Sequence, residues 1–403
     1  MFSAGRRGNT IFVMCKVSID APPTMNRITG FLATFSRLLQ GQLFPVLTEE
    51  LGPLGERHQA FVRALSLLQL DGLVSRRRGR GRPAHDRACV ARAFLAKAVF
   101  NLPHTRSLLE RLAHDPTLRR LCGWERAAEV PEESVFSRAF SEFARDEFAQ
   151  RVHAALIQRT QSERLVGHIL RDGSAIEARE KAAPKPAQAK DDPRPRRLHR
   201  KAGTAKRPEQ MTRIERQASG AMTLAEMMAE LPRACNVGCK PNSKGVREYW
   251  TGYKLHMDVA DGQIPISCVL TSASLNDNQV AIPLALLTAQ RVTSCYDLMD
   301  AGYDSEAIRS HSRGLGHVPI IPRQKHGTVE QEFAPHEKAR YRERTTAERV
   351  YSRLKDEFGG RSVRVRGWAK VMTHLMFGIL ALTADQIQRW LATRPPQDTP
   401  VLA

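Results

Sequence analysis

Three acids and a set of cations in the second half of the sequence have the types and spacing that chemistry needs. Asp172 lies near the end of the apolar run Leu165–Ile176, and Asp300 closes the run Ser294–Asp300. Glu348 lies inside Tyr341–Lys355, where Arg344, Glu348, Tyr351 and Lys355 follow at steps of four, three and four. On a helix those four share one stripe, while Ala347, Val350, Leu354 and Phe358 form an apolar stripe behind them. One acid is thus held among cations on a helix anchored by its back. Taken alone, the pattern also reads as a surface helix with an i,i+4 Arg–Glu pair, and an Asp at a strand end is often a turn residue. Brought together, the three carboxylates would repel one another, and one would have a raised pKa. A hard divalent cation, magnesium or manganese, removes that conflict. Two such ions roughly 3.5–4 Å apart activate an attacking water or hydroxyl and stabilise the leaving oxygen in phosphodiester chemistry.

The elements that must position these acids can be read from hydrophobic period. Residues 26–74 read as helical, with Leu38, Leu39, Leu43, Leu47 and Leu51 near helical spacing and Pro45 and Pro53 breaking the pattern. Arg76–Pro83 alternates arginine with glycine and is expected to form a flexible cationic arm. Residues 86–160 predict several short helices punctuated by Pro103, Pro116 and Pro131, an arrangement that permits a helix-turn-helix. From residue 164 the period changes to that of strands. A strand carries Asp172, and then residues 181–216 break the domain with twelve Lys/Arg against four Asp/Glu, a disordered or late-ordering basic insertion. A short helix is expected over Met222–Leu231. A hairpin follows at Tyr249–Ala260 and Ile264–Thr271 with Asp261-Gly262 as its turn. After it come a helix over 278–291, a short strand to Asp300, a strand at His317–Pro322, the Glu348 helix and a last apolar helix over 367–393. That order predicts an α/β fold, a mixed sheet flanked by helices, with chemistry where strands end.

Composition narrows the partner. The chain has 403 residues, with 62 Lys+Arg against 42 Asp+Glu and a net charge of +20. Such an excess points to a polyanion, and nucleic acid fits better than a membrane because no long apolar span exists. Seven scattered cysteines favour reduced core thiols and a cytoplasmic, nucleoid-associated protein over a disulfide framework. Cys235-x-x-x-Cys239 resembles half a zinc site, but no second close Cys/His pair completes it.

The residues around the acids resemble those of bacterial insertion-sequence transposases of the DDE type, in the superfamily marked by a Tyr-Arg-Glu-Lys signature. The signature spacing falls on Tyr341, Arg344, Glu348 and Lys355 without a gap. Asp172 stands in an Asp-Gly-Ser strand, and Asp300 in the loop Asp300-Ala-Gly-Tyr-Asp304. Gly252-Tyr-Lys-Leu-His256 and Ala273-Ser-Leu-Asn-Asp277 match the pattern between them, and the resemblance runs from residue 86 to about 390. It implies an RNase H-like catalytic domain over 163–393 with a basic insertion at 181–245. An all-helical DNA-binding domain at 86–162 precedes it, with an N-terminal extension at 1–85 and a tail at 394–403. It implies Asp172, Asp300 and Glu348 as catalytic metal ligands for Mg2+, with Mn2+ as a substitute. Tyr341, Arg344 and Lys355 would contact phosphates of double-stranded DNA, at transposon ends and target, in a homodimer assembled on DNA. The reaction would be hydrolysis at the terminal inverted repeats followed by strand transfer. A DNA-binding regulator or inactive relic, and an RNase H-like structure-specific nuclease, are the competing readings. Asp304 competes with Asp300 for the second acid, but Asp300 ends the strand, whereas Asp304 is expected to cap the next helix. Trp250 and Tyr253 are expected in packing before base stacking, His256 is expected to be structural, and Arg361, Arg364, Arg366 and Lys370 follow either a DNA backbone or a solvated edge.

Overall fold

The computed structural model describes residues 43–74, 85–184, 211–241, 245–325, 328–330 and 333–392. The first part of the N-terminal extension with Leu38 and Leu39, the expected cationic arm, residues 185–210 and 242–244 of the basic insertion, and the C-terminal tail lie outside the described residues. The chain begins with α1 (Phe44–Leu51) and α2 (Glu56–Leu68). Pro45, expected to break the pattern, instead sits in the first turn of α1, where its missing N–H has no intrahelical partner to lose. Next come α3 (Arg87–Val99), α4 (Thr105–His114), α5 (Pro116–Cys122), α6 (Glu133–Arg145) and α7 (Phe148–Gln161). Asp86 and Asp115 cap α3 and α5 through the backbone N–H groups of Ala88 and Leu118. In α6, Phe136, Ala139, Phe140 and Phe143 repeat at steps of three, one and three, so one stripe is buried.

The sheet opens with β1 (Leu165–Glu177). After the insertion, α8 (Arg213–Ala218) and α9 (Leu224–Ala229) are each started by a Thr–Glu capping box, Thr212 with Glu215 and Thr223 with Glu226. Then follow β2 (Asn236–Pro241), β3 (Arg247–Ala260) and β4 (Ile264–Ser272). The turn between β3 and β4 uses left-handed backbone at Gly262 and Gln263. The Asp261 carboxylate accepts from the N–H groups of Gly167 and His168 on β1, at 2.7 and 3.1 Å, and so pins that turn to the neighbouring strand. The chain continues through α10 (Ala281–Ala289), β5 (Thr293–Leu298), α11 (Glu306–Gly314) and β6 (Val318–Ile320). A small hairpin of β7 (Arg323–Lys325) and β8 (Thr328–Glu330) stands apart from the main sheet. Last are α12 (Pro335–Tyr341), one 3-10 turn at Arg342–Arg344, α13 (Thr345–Glu357) and α14 (Trp368–Ala392).

In space the main strands lie in the order β4-β3-β1-β5-β6, with β3 antiparallel to β1 and β4, and β5 parallel to β1 and β6. This is the RNase H-like arrangement expected. β2, which the sequence did not suggest, pairs with the first part of β3. α10 covers β3 and β4, α13 lies against β1, and α14 against β4. The N-terminal helices α2, α3, α6 and α7 all pack on α14 as well. Phe377 of α14 is 5.7 Å from the ring of Phe94 and 6.4 Å from that of Phe140. One continuous core therefore joins the helical region to the sheet region. α14 is buried round most of its circumference because it has partners on both sides, the pattern of an interior helix. No helix among the described residues is long and apolar enough to cross a membrane.

Candidate active site

β1 and β5 are parallel neighbours, with Leu170 opposite Leu298. Asp172 and Asp300 each lie two residues further along, so register alone sets the two acids side by side. Asp172 is still within β1, opposite Met257. Asp300 has left β5, and its carboxylate accepts from the N–H of Gly302 at 2.9 Å, opening a single 3-10 turn. Glu348 comes from the first turn of α13. The apolar back of α13, Ala347, Val350 and Leu354, is buried as the sequence pattern required.

One guanidinium brings the three acids into a common environment. Arg344 Nη2 is 3.6 Å from Asp172 Oδ1 and 3.5 Å from Asp300 Oδ2, and its Nη1 is 3.8 Å from Glu348 Oε1. Burial pushes the Asp172 carboxyl up to about 6, Arg344 opposes the rise, and the charge of Asp300 adds to it. Asp300 is raised by burial too, again against Arg344. Burial works against the Arg344 charge, but Asp172, Tyr341, Asp300 and Glu348 together raise its pKa. Lys355 donates to Ser174 Oγ at 2.8 Å, two residues from Asp172 on β1. Its pKa is lowered by burial and by the nearby cations Arg361 and Lys240. Tyr341 is half-buried, its ring 4.9 Å from Phe333, and its phenol is raised by burial.

The signature is not carried by one unbroken helix. Tyr341 ends α12, Arg344 closes the 3-10 turn, and only Glu348 and Lys355 lie on α13. Tyr351, expected on the polar stripe, is buried instead. Its hydroxyl is 2.6 Å from the carbonyl oxygen of Asp172 and 3.1 Å from that of Leu255. Asp304, expected to cap the next helix, pairs with Arg309 at 2.7 Å, while Ser305 occupies the cap position without a side-chain bond. Arg353 is clamped between Glu357 and Asp385.

Sequence reasoning gave Asp277 no role, yet it stands directly behind the acids. A Cβ on Gly173 would meet Asp277 Oδ1 at 3.0 Å. Lys254 Nζ holds that oxygen at 2.8 Å, and the charge of Asp277 adds to burial in raising both Asp172 and Asp300. The two segments that matched the family between the acids, Gly252–His256 and Ala273–Asp277, therefore meet here. That pairing was the available signal.

Among the remaining candidates, Trp250, Tyr253 and His256 are in packing roles, and the cations after α13 lie at the surface or are half-buried. Trp250 donates to Tyr253 O at 3.0 Å, and Tyr253 is buried with its hydroxyl on Glu180. His256 is fully buried and bonded to Thr271 Oγ1. Arg361 pairs with Asp356, Arg364 is exposed, and Arg366 donates to Arg179 O. Cys235 is buried and Cys239 exposed.

The acid set has the chemistry of a site for a hard divalent ion, since all its donors are oxygens already drawn round one positive group. Their present spacing is that of a guanidinium. Among the described residues no three His, Cys, Asp or Glu side chains are gathered closely enough to hold an ion as they stand.

An RNase H-like sheet preceded by helices, with one acid inside a central strand and another just past the end of its parallel neighbour, is the arrangement of DDE-domain proteins. Comparison with protein families agrees. Residues 233–384 match the family described as "Transposase DDE domain". Residues 56–142 match that described as "Transposase domain (DUF772)", a span that takes in α2 as well as α3 to α6. The two matches together cover more than half of the chain, and the protein belongs to the insertion-sequence DDE transposases. The DDE match contains Asp300 and Glu348 but begins after Asp172. Neither curated proteins nor solved structures give a match.

Proposed function

We propose that this transposase belongs to the Tyr-Arg-Glu-Lys superfamily, binds the terminal inverted repeats of its element, and cleaves and joins DNA at the site built by Asp172, Asp300 and Glu348. The observation that carries the reading is the single Arg344 guanidinium within 4 Å of all three carboxylates, which come from three separate elements. The three acids would hold Mg2+ or Mn2+, which supplies charge neutralisation and an activated water or 3′-hydroxyl when bound. Arg344 faces where a phosphate would lie, and its fixed fork suits bidentate contact with phosphate oxygens. Lys355 and Tyr341 flank it, two further donors for the DNA backbone. The packed back of α13 holds Glu348 in register with the strands, because a catalytic acid is only as well placed as the element beneath it. Double-stranded DNA is the partner, and pairing of two ends calls for a homodimer on DNA.

The test is an end-cleavage and joining assay with purified protein, magnesium and the element's own terminal repeats, run beside Asp300→Ala and Glu348→Ala. Cleavage and strand transfer by the wild type, lost in both variants, is the expected outcome. Binding without cleavage would turn the reading to a regulator or relic. Cutting of branched DNA without joining would turn it to a structure-specific nuclease.

A further inference from the structure

Away from the acids, a cavity of about 330 Å³ lies between α3, α4 and α6 on one side and the segment after α13 with α14 on the other. None of the three acids and none of the signature cations lines it. Its apolar wall includes Phe94, Phe140 and Phe377, core side chains that pack mainly against one another and border the space. Three cations, Lys97, Arg366 and Lys370, line the same space, against one acid, the exposed Glu133. Lys97 is the unusual member. It projects from α3, a helix buried on nearly every side, and among the described residues its amine has neither a hydrogen-bond acceptor nor a counter-ion. Burial alone pushes its pKa down to about 8. His374, which also lines the cavity, gives no relief: it is tied to Gly359 O at 3.0 Å, and burial and the Lys97 charge hold it neutral. Lys97 is half-buried, so its unpartnered ammonium is partly stripped of water at the cavity wall, and an anion in the cavity would pair with it. An apolar wall beside cations is suited to a ring that carries a phosphate, and the volume falls at the lower end of the roughly 300–1,000 Å³ range of small-molecule sites.

We propose that this cavity is a nucleotide site, with the phosphate on Lys97 and Lys370 and the base along the apolar side of the cavity. The choice of a nucleotide over other aromatic anions rests on the DNA-processing reading above. The same chemistry has two sources, a free mononucleotide or one unit of an unpaired DNA strand.

The experiment is calorimetric titration of the full chain with deoxyadenosine 5′-monophosphate, with deoxyadenosine and inorganic phosphate as the two halves of the probe. The wild type is expected to bind the nucleotide more tightly than either half. Lys97→Met keeps the apolar stem and removes the charge, and it is expected to weaken the nucleotide about tenfold or more while leaving deoxyadenosine unchanged. Lys370→Met, on the opposite wall, is expected to weaken it as well, and serves as the independent variant if Lys97→Met does not fold. Competition by a short single-stranded oligonucleotide assigns the site to a DNA strand, and absence of competition assigns it to a free nucleotide; both uphold a nucleotide site. Nucleotide affinity equal in wild type and the folded variants, or no binding to the wild type, overturns it. Because the titration reads binding and needs no cleavage, its failure is distinct from failure of the end-cleavage assay.

Discussion

The Tyr351 hydroxyl donates to the backbone carbonyl of Asp172 at 2.6 Å, so the helix that carries the third acid is bolted to the strand that carries the first. The bond reaches across 179 positions of chain and is the shortest link between α13 and β1 outside the acids themselves. Tyr351→Phe keeps the ring in its buried slot and removes the hydroxyl that reaches the carbonyls of Asp172 and Leu255. It should cost about 1–2 kcal/mol of stability, the usual consequence of deleting one buried hydrogen bond. End-cleavage should fall about tenfold, with end binding close to wild type, because a loosened site loses geometry before affinity. Urea unfolding and a cleavage assay beside a gel-shift measure the two effects; unchanged cleavage would show that α13 is held by packing alone.

Arg171 and Asp172 are neighbours on β1 and point to opposite faces of the sheet. On its own face Arg171 makes a buried, two-pronged pair with Asp258 of β3, at 2.8 and 2.7 Å, and Thr288 of α10 bonds the same carboxylate. Removing one partner leaves the other charge buried and unpaired. Asp258→Ala should therefore cost about 3–5 kcal/mol, and a paired Arg171→Met, Asp258→Leu change much less. Denaturant midpoints of the single and double variants decide the point, and equal losses would contradict it.

Gly252 lies where β3 crosses the end of β1. A Cβ there would run into the backbone carbonyl of Ile176, and its φ of 155° is one that side chains rarely adopt. Backbone cannot step aside as a side-chain tip can. Gly252→Ala should cost about 3 kcal/mol or more and lower soluble yield, since it combines overpacking with strain. A thermal unfolding curve matching the wild type would refute the close approach.

Acid should destabilise the fold through three buried histidines. Burial lowers His153 to about 3, His256 to about 4 and His374 to about 3, all from an ordinary 6.5. Each stays neutral in the folded chain but takes a proton in the unfolded one below pH 6.5. Their contribution is complete above that pH and is lost as pH falls from 6.5 toward 4. Each site adds about 1.4 kcal/mol per pH unit inside that window. Asp172, raised to about 6, works in the other direction below that pH and offsets part of the loss. Urea unfolding at pH 7.5, 6.5 and 5.5 should show little change over the first step and a clear drop over the second. A flat profile would mean that the histidines titrate freely in the folded chain.

Hydrophobic period and residue spacing do not predict β2, the β7–β8 hairpin or α12, and β5 ends two residues before Asp300. They do predict most of the main elements, the strand that carries Asp172 and the buried back of the Glu348 helix. These are local properties: an apolar stripe every three to four residues, or an alternating run closed by a turn, is written in neighbouring positions. The family signature is local in the same way. What chain order could not decide is which strands are neighbours. Only the parallel register of Leu170 with Leu298 sets Asp172 beside Asp300, and only the docking of α13 on β1 adds Glu348. Tyr351 was misread for the same reason, since a tyrosine at a stripe boundary turns inward or outward according to whether a carbonyl waits for its hydroxyl. Asp277 closes a segment that matches the family pattern, but only β3 brings Lys254 to it. The helical region appeared to be a separate domain because nothing before residue 160 announces that Phe94 will meet Phe377. The sequence by itself determined most of the elements and the chemistry they carry. Tertiary structure decided which side chains share an environment, because burial and charge act through distances that the order of residues does not contain.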